Sequence, residues 1–310
     1  MSQSSDNLKS KAASIRDRLK IIARADNTDF QRLLNNYAIQ KLLVRIDKSA
    51  YRENLMLKGS WLFVAWSGSL HRPTKDADML GLGDFDKQQI FNMFKEIMKI
   101  EVADGLQFLP ESIDVSDITK DGLYQGYRIT GVCLLANARI KVQVDIGFGD
   151  AISPSSTIET IPCLLGEGDA VLRAYPIYTA ISEKWHAINK LGMKNSRLKD
   201  YYDLYVIANL QDLDGSLLLE AVQNTFNRRE TKIDFKLPIG LSSEFYDDSD
   251  KIKAWSAFIR KNGLVCEKSL SELCEFIEMF LFPINLAIAE SKSCSVHWDS
   301  REVAWTQVNL

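Results

Sequence analysis

The chain has few of the residues from which disulfide frameworks and thiolate metal sites are built. Its 310 residues include five cysteines and three histidines, and no two cysteines form a CxxC pair. An odd number of scattered cysteines is typical of reduced thiols, so the sequence excludes a disulfide scaffold and a zinc site with Cys ligands. The three scattered histidines likewise exclude a histidine-rich metal site.

The chain also lacks a large charge excess and a long apolar run. Its 41 acidic and 38 basic residues give a net charge of −3, which excludes a strongly basic DNA-coating protein but leaves room for a local basic groove. The most apolar window, residues 276–289, is interrupted by Glu278 and Pro283 and is too short to span a bilayer. The polar N-terminus lacks the apolar core of a signal peptide. We therefore expect a soluble cytoplasmic protein with no membrane partner.

Enough apolar residues are present to build two domains. The composition is 46% hydrophobic with 30 aromatic residues, which excludes disorder as the main state. Periodicity predicts an α/β (α+β) lobe with a mixed sheet over residues 1–170, preceded by N-terminal helices over about 1–50. It predicts an all-helical lobe over 171–310, with helices at 177–191, 198–210, 216–227, 250–261 and 270–289. The basic excess of the first 25 residues is typical of a solvated helix face, with nucleic-acid contact as the alternative.

Two aspartates on a predicted strand stand out among four Asp-x-Asp pairs. Asp76 and Asp78 fall on a strand predicted over 74–80, where residues two apart share a face. Two such carboxylates repel each other unless a proton or a cation such as Mg²⁺ compensates them. Asp145 ends the polar face of a second strand, in a hairpin predicted over 127–135 and 139–148, and would join the pair if that strand lies adjacent. The structural alternative is that Asp76 and Asp78 are turn carboxylates.

A glycine–serine pair precedes an apolar helix in the same lobe. Gly59 and Ser60 begin the segment that continues through residues 61–66, and free N–H groups at such a start bind phosphate. Carboxylates beside a phosphate-binding turn are what phosphoryl or nucleotidyl transfer requires, with one ion on the attacking oxygen and another on the triphosphate. The alternative is that Gly59 and Ser60 only start a helix.

Charged residues also lie on the apolar stripes of two predicted helices in the second lobe. Lys184 lies on the stripe of 177–191, and Asp200 and Asp203 lie on the stripe of 198–210. A lysine there costs desolvation free energy unless an anion meets it. Two accounts fit equally: a structural Lys184–Asp200 salt bridge, or a cleft-facing Lys184 that reaches nucleotide phosphates while Asp200 organises it.

Several motifs together resemble a known family. They are LKGS at 57–60, RPTKDAD at 72–78, VDI at 144–146, SEKWHA at 182–187 and RLKDYYDL at 197–204. In this order they resemble the AbiEii/AbiGii-type nucleotidyltransferase toxins, a branch of the DNA polymerase β-like superfamily that includes the mycobacterial MenT toxins. The family often has a second glycine where this chain has Ser60. The resemblance extends to FNRRET at 226–231 and covers most of the chain.

The resemblance implies a bilobed enzyme with a nucleoside triphosphate and a two-ion Mg²⁺ site, where Mn²⁺ is also compatible. It implies that the triphosphate contacts Gly59, Ser60, Arg72, Lys75 and Lys184. It implies that the catalytic residues are Asp76, Asp78, Asp145, Lys184 and Asp200, with the first three on the metal ions. It also implies an RNA acceptor such as the 3′ end of tRNA, a cognate antitoxin, and a role in toxin–antitoxin or phage-abortive-infection systems that inhibits translation or growth.

Two other classes of function remain open at this point. One is a nucleotide- or antitoxin-binding module whose catalysis is dispensable. The other is a nucleotidyltransferase that acts on a small molecule. The full set of carboxylates together with Lys184 favours an active enzyme over a binding module.

Overall fold

The fold is described from a computed structural model, and the structure describes residues 2–120, 124–166 and 168–307. The chain divides into two compact units. The first contains Met1–Gly149 and Thr157–Ala174, and the second contains Asp150–Ser156 and Tyr175–Leu310. The chain therefore leaves the first unit after residue 149 and again after residue 174, and each unit is described by itself below.

The first unit contains four of the helices. They are α1 (Ser2–Ala25), α2 (Phe30–Asp47), α3 (Leu62–Ser67) and α4 (Lys87–Lys99). The Asp29 carboxylate accepts a hydrogen bond of 2.7 Å from the Arg32 backbone N–H, which caps the first turn of α2. Asp29 is therefore the N-cap of the second of the N-terminal helices, which were predicted over about 1–50.

A seven-stranded mixed sheet forms the other part of the first unit. Its strands are β1 (Leu55–Lys58), β2 (Ala77–Gly81), β3 (Leu106–Lys120), β4 (Tyr124–Leu135), β5 (Ala138–Phe148), β6 (Thr157–Ile161) and β7 (Ala170–Ala174). Their order is β3-β4-β5-β2-β1-β7-β6. β2 runs parallel to β5 and antiparallel to β1, while β1 runs parallel to β7. The predicted hairpin is confirmed as β4 and β5, but its turn is residues 136–137, one residue shorter than the predicted 136–138.

The alternation of β5 explains how this sheet presents polar groups on one face. Ile140, Val142 and Val144 are buried, each with at most 1% of its surface exposed. The residues between them point to the opposite face because successive strand residues alternate. β5 therefore anchors a hydrophobic core on one side and carries Gln143 and Asp145 on the other.

The second unit is mostly helical. Its helices are α5 (Ile177–Leu191), α6 (Leu198–Leu210), α7 (Gly215–Arg228), α8 (Ser243–Tyr246), α9 (Ser249–Asn262) and α10 (Leu270–Ala289). The five predicted helices correspond to α5, α6, α7, α9 and α10. None of the helices in the described parts of the chain has both the length and the apolar character needed to cross a membrane.

One feature of the second unit differs from the predicted all-helical lobe. A small antiparallel sheet joins β8 (Leu213–Asp214), β9 (Val296–Asp299) and β10 (Ala304–Gln307). Trp298 is completely buried, and its indole N–H donates to the Ala208 carbonyl at 2.7 Å. The Trp305 indole donates to the Phe280 carbonyl at 2.9 Å. These indole contacts hold the short strands against α6 and α10.

Candidate active site

Gly59 forms the connection between β1 and the helical segment that follows it. Its φ of +74° lies in the left-handed region, and the chain continues through a short 3₁₀ turn, Gly59–Trp61, into α3. A Cβ built on this glycine would lie 2.5 Å from Asp78 Oδ2. Only a glycine therefore allows the backbone to pass this close to the carboxylate. Ser60, which follows, is buried.

Asp76 and Asp78 lie together, but only Asp78 is on a strand. The predicted strand 74–80 begins at Ala77, so the placement of Asp76 on that strand is corrected. The Asp76 carbonyl accepts a hydrogen bond of 3.0 Å from the Trp61 indole N–H, and the Thr74 hydroxyl lies 3.0 Å from Asp76 Oδ1. These hydrogen bonds hold Asp76 in the turn that precedes β2.

Asp145 lies on the strand next to Asp78. In the parallel β2–β5 pair, Asp78 is the register partner of Asp145, so the adjacency on which its predicted role depended is present. Asp145 is 4% exposed. The Gln143 side-chain amide donates to Asp145 Oδ1 at 3.2 Å and to Asp76 Oδ2 at 3.3 Å. One amide thus bridges two of the three carboxylates.

Arg128, which no sequence pattern singled out, is the direct partner of Asp145. Arg128 lies on β4 opposite Asp145, with Nε 2.9 Å from Oδ1 and Nη2 2.8 Å from Oδ2. These hydrogen bonds raise the pKa of Arg128; burial opposes the shift, and the charges of Asp145, Asp76 and Asp78 add to it. The hairpin contains the signal for this pair, because a two-residue turn between residues 135 and 138 sets 128 against 145.

Lys58 is a second basic residue at this site that received no role of its own from the sequence. It is the last residue of β1, is 7% exposed, and lies opposite Asp78 in the β1–β2 pair. Directly opposed strand residues have neighbouring side chains. A buried lysine therefore accompanies the carboxylates.

Two further predicted phosphate contacts lie on the segment between α3 and β2. Lys75 is exposed and immediately precedes Asp76. Arg72 is partly buried, and its Nη1 lies 3.5 Å from the Pro73 carbonyl. Both are close to the carboxylates in sequence, and their contact with a triphosphate stays a prediction.

Donor chemistry and existing partners decide which of the three carboxylates suit a magnesium ion. Asp76 and Asp78 supply the hard oxygen ligands that Mg²⁺ prefers, and the backbone at Gly59 passes so close to Asp78 that a Cβ there would lie 2.5 Å from its Oδ2. In residues 2–120, 124–166 and 168–307, however, no three His, Cys, Asp or Glu side chains are already assembled around a common metal position. The pair Asp76 and Asp78 fits a divalent cation, while Asp145 is engaged by Arg128.

Lys184 and Asp200 form a compact ionic cluster in the second unit. Lys184 Nζ lies 3.1 Å from Asp200 Oδ1 and 2.6 Å from Asp203 Oδ2, and Arg197 Nε lies 2.6 Å from Asp200 Oδ2. Burial alone would raise the pKa of Asp200, but Lys184 and Arg197 outweigh it and lower that pKa. The predicted salt bridge between α5 and α6 is present, and Asp203 shares its lysine.

Comparison with known proteins identifies the family. The model of the family described as "Nucleotidyl transferase AbiEii toxin, Type IV TA system" matches residues 41–267, which is well over half of the chain. The chain belongs to the AbiEii family. It is therefore a nucleotidyltransferase of a toxin–antitoxin family, and this family implies a nucleotide substrate and an antitoxin partner. No curated protein sequence matches the chain.

Two solved structures resemble this AbiEii protein at low identity. JHP933 from Helicobacter pylori is 14% identical with a TM-score of 0.46, over 85% of this chain and 95% of that chain. A presumed nucleotidyltransferase from H. pylori is 14% identical with a TM-score of 0.49, over 86% of this chain and all of that chain.

The matched AbiEii region also contains a polar network in the second unit to which the sequence assigned no role. Arg229 Nη2 lies 3.3 Å from Glu183 Oε1 and 3.5 Å from Asp150 Oδ1, and the Tyr175 hydroxyl donates to Asp150 at 2.8 Å. Burial, followed by the charges of Glu183 and Asp150, raises the pKa of Tyr175. The FNRRET motif contained Arg229, but nothing in its spacing indicated these partners.

Proposed function

We propose that this AbiEii protein is a Mg²⁺-dependent toxin that transfers a nucleoside monophosphate from a nucleoside triphosphate to RNA. The proposed acceptor is the 3′ end of tRNA, and its modification would inhibit translation or growth. The observation that supports the proposal is the convergence of Gly59, Asp76, Asp78 and Asp145 where β1, β2 and β5 meet. Family membership supplies the reaction class.

The residues of the first unit divide into cation ligands and phosphate contacts. Asp76 and Asp78 would hold Mg²⁺, or Mn²⁺ in its place. The bound ion would neutralise the triphosphate and orient the reacting oxygens. The backbone at Gly59, with the Ser60 hydroxyl, would contact the phosphates.

Three basic residues of the first unit lie near Asp76 and Asp78. Arg72 and Lys75 are close in sequence, and Lys58 is close in strand register. Their charge favours a polyanionic substrate because it lowers the repulsion between triphosphate and carboxylates. We assign Arg72 and Lys75 to the triphosphate. Lys58, which is buried opposite Asp78, would limit the net negative charge of the site.

Lys184 and Asp200 are assigned an essential role on the resemblance alone. Lys184 is 12% exposed at its side chain, and two carboxylates already contact its ammonium group. We propose that these contacts order Lys184 for contact with the triphosphate. The alternative is a structural role, in which the cluster only joins α5 to α6. Variants of Lys184 distinguish the two roles.

A basic segment of the first unit supports a polyanionic acceptor. Residues 1–25 contain six Lys or Arg against two Asp, although the whole chain is acidic. A cavity of about 390 Å³ lies beside α1 and α2, and the basic side chains of Lys11, Arg18 and Lys41 line it. Clustered basic residues are the electrostatic mark of contact with a phosphate backbone.

A transfer assay with labelled nucleotide tests the proposed function. The purified protein is incubated with Mg²⁺ and each of the four α-³²P-labelled NTPs, together with total tRNA or a panel of small hydroxyl and amino acceptors. We expect label in tRNA, and we expect periodate oxidation of the tRNA to abolish it because the terminal diol is destroyed. Label only in the small-molecule panel would instead establish the small-molecule alternative.

Growth arrest separates the enzyme from a binding module. Expression of the wild-type protein without its antitoxin should arrest growth, and Asp78→Asn should not, because transfer requires the cation ligand. A binding module has no need of that ligand. Co-expression of the cognate antitoxin should relieve the wild-type arrest. Arrest by a folded Asp78→Asn variant would favour a module whose catalysis is dispensable.

A further inference from the structure

Asp145 accepts three side-chain hydrogen bonds, two of them from one arginine. Its Oδ1 accepts from Arg128 Nε at 2.9 Å and from the Gln143 amide at 3.2 Å, while its Oδ2 accepts from Arg128 Nη2 at 2.8 Å. An ionised carboxylate offers about four lone-pair positions, and three are used here. Asp145 therefore cannot present both oxygens to a metal ion while these hydrogen bonds persist.

The two partners of this ion pair differ in their freedom to move. The Arg128 side chain is 42% exposed, whereas the Asp145 side chain is 6% exposed. Arg128 can thus turn toward solvent without opening the core, but Asp145 cannot leave the sheet. The charges of Asp76 and Asp78 also act on the Arg128 guanidinium. Arg128 consequently supplies positive charge where a divalent cation would supply it.

We propose that Arg128 is a positioning residue that competes with the divalent cation for Asp145. The inference rests on the proposed function, since it takes the carboxylates to be cation ligands. While Arg128 is paired, Asp145 retains at most one lone-pair position for the cation, and Asp76 and Asp78 are its main ligands. Asp145 becomes the third ligand when Arg128 turns away.

Binding of Mn²⁺ without nucleotide tests this competition, measured by the loss of the free-ion electron paramagnetic resonance signal. We expect Arg128→Gln to bind Mn²⁺ at least about tenfold more tightly than the wild type, which corresponds to about 1.4 kcal/mol. Arg139→Gln removes the same charge from an exposed position on β5 and should stay within about twofold of the wild type. A gain in affinity on losing a residue cannot come from general damage to the fold.

A double-mutant cycle decides whether the effect passes through Asp145. In an Asp145→Asn background, Arg128→Gln should no longer tighten Mn²⁺ binding, because the contested ligand is gone. If the gain persists there, Arg128 acts only through its field and the proposal fails. Unchanged or weaker binding by Arg128→Gln in the native background overturns it as well.

A second variant covers the case in which Arg128→Gln does not fold. Arg128→Lys keeps the charge but loses the two-pronged contact, so it should bind Mn²⁺ more tightly than the wild type and more weakly than Arg128→Gln. Wild-type affinity in Arg128→Lys would then overturn the proposal. A wild-type protein that binds no Mn²⁺ would contradict the proposed function itself, which distinguishes the two failures.

Discussion

Replacement of Lys184 by methionine is the perturbation that best separates a structural from a functional ionic cluster. The change removes an ammonium group that lies 2.6 Å from Asp203 and 3.1 Å from Asp200, two side chains that are 0–1% exposed. Breaking a buried ion pair from one side costs about 3–5 kcal/mol because the remaining charge is left uncompensated. At about 2–4 °C per kcal/mol for a protein of this size, we expect Tm to fall by about 6–20 °C.

A second substitution should then restore stability without restoring the lysine. In Lys184→Met/Asp203→Asn, Asp200 keeps its 2.6 Å contact with Arg197, and no extra buried charge remains. We expect most of the lost Tm to return. Lys190→Met, an exposed lysine on the same helix, is the matched control and should change Tm by less than about 2 °C.

Transfer activity of the stabilised double variant decides the role of Lys184. If the lysine neutralises triphosphate charge, the double variant should remain at least about 100-fold below wild type although it is folded. Differential scanning fluorimetry and the labelled-nucleotide assay on the same samples provide both readouts. Recovery of near-wild-type transfer together with stability would refute the functional role, and an unchanged Tm in Lys184→Met would refute the energetic reasoning.

Two other predictions follow from local geometry. Gly59→Ala should destabilise the protein by about 1–3 kcal/mol and abolish transfer, because the new Cβ would meet the Asp78 carboxylate at 2.5 Å. Gly68 has a similar φ of +79° but open space around it. Gly68→Ala should therefore show a comparable destabilisation in urea unfolding but retain transfer. Because the folded-state pKa of Asp200 is lowered, its contribution to the free energy of unfolding is present above about pH 4 and is lost as the pH falls through the folded value. In urea titrations from pH 7 to 3, the free energy of unfolding should fall less in Asp200→Asn than in the wild type. An identical pH profile would contradict the lowered pKa of Asp200.

The parts of the site that sequence patterns predicted are those that depend on strand alternation. The polar face of β5 and the hairpin follow from a period of two, whereas the nearness of Asp145 to the Asp-x-Asp pair also requires the parallel pairing of β2 with β5. Arg128 was missed because its pairing depends on the exact turn length: a two-residue turn opposes 128 to 145, and one more residue would oppose 129 to it.

Contacts distant in sequence account for the remaining differences. Asp76 leaves the predicted strand because the Trp61 indole binds its carbonyl, a contact that no local pattern shows. The C-terminal strands are only four residues long, so alternation within them is weak evidence, and their position depends on the burial of Trp298. Local periodicity therefore predicted elements well and their side-chain partners poorly.

The proposed nucleotidyl transfer depends on a divalent cation that Asp76 and Asp78 hold. The most direct measurement compares the rate of label transfer from α-³²P-NTP to tRNA in wild type, Asp78→Asn and Asp84→Asn. Asp84 begins an Asp-x-Asp pair of the same spacing but is exposed outside the site, so its variant should transfer at the wild-type rate. We predict that Asp78→Asn, folded by circular dichroism, transfers at least about 10³-fold more slowly. Transfer by Asp78→Asn at the rate of the Asp84→Asn control would contradict the claim.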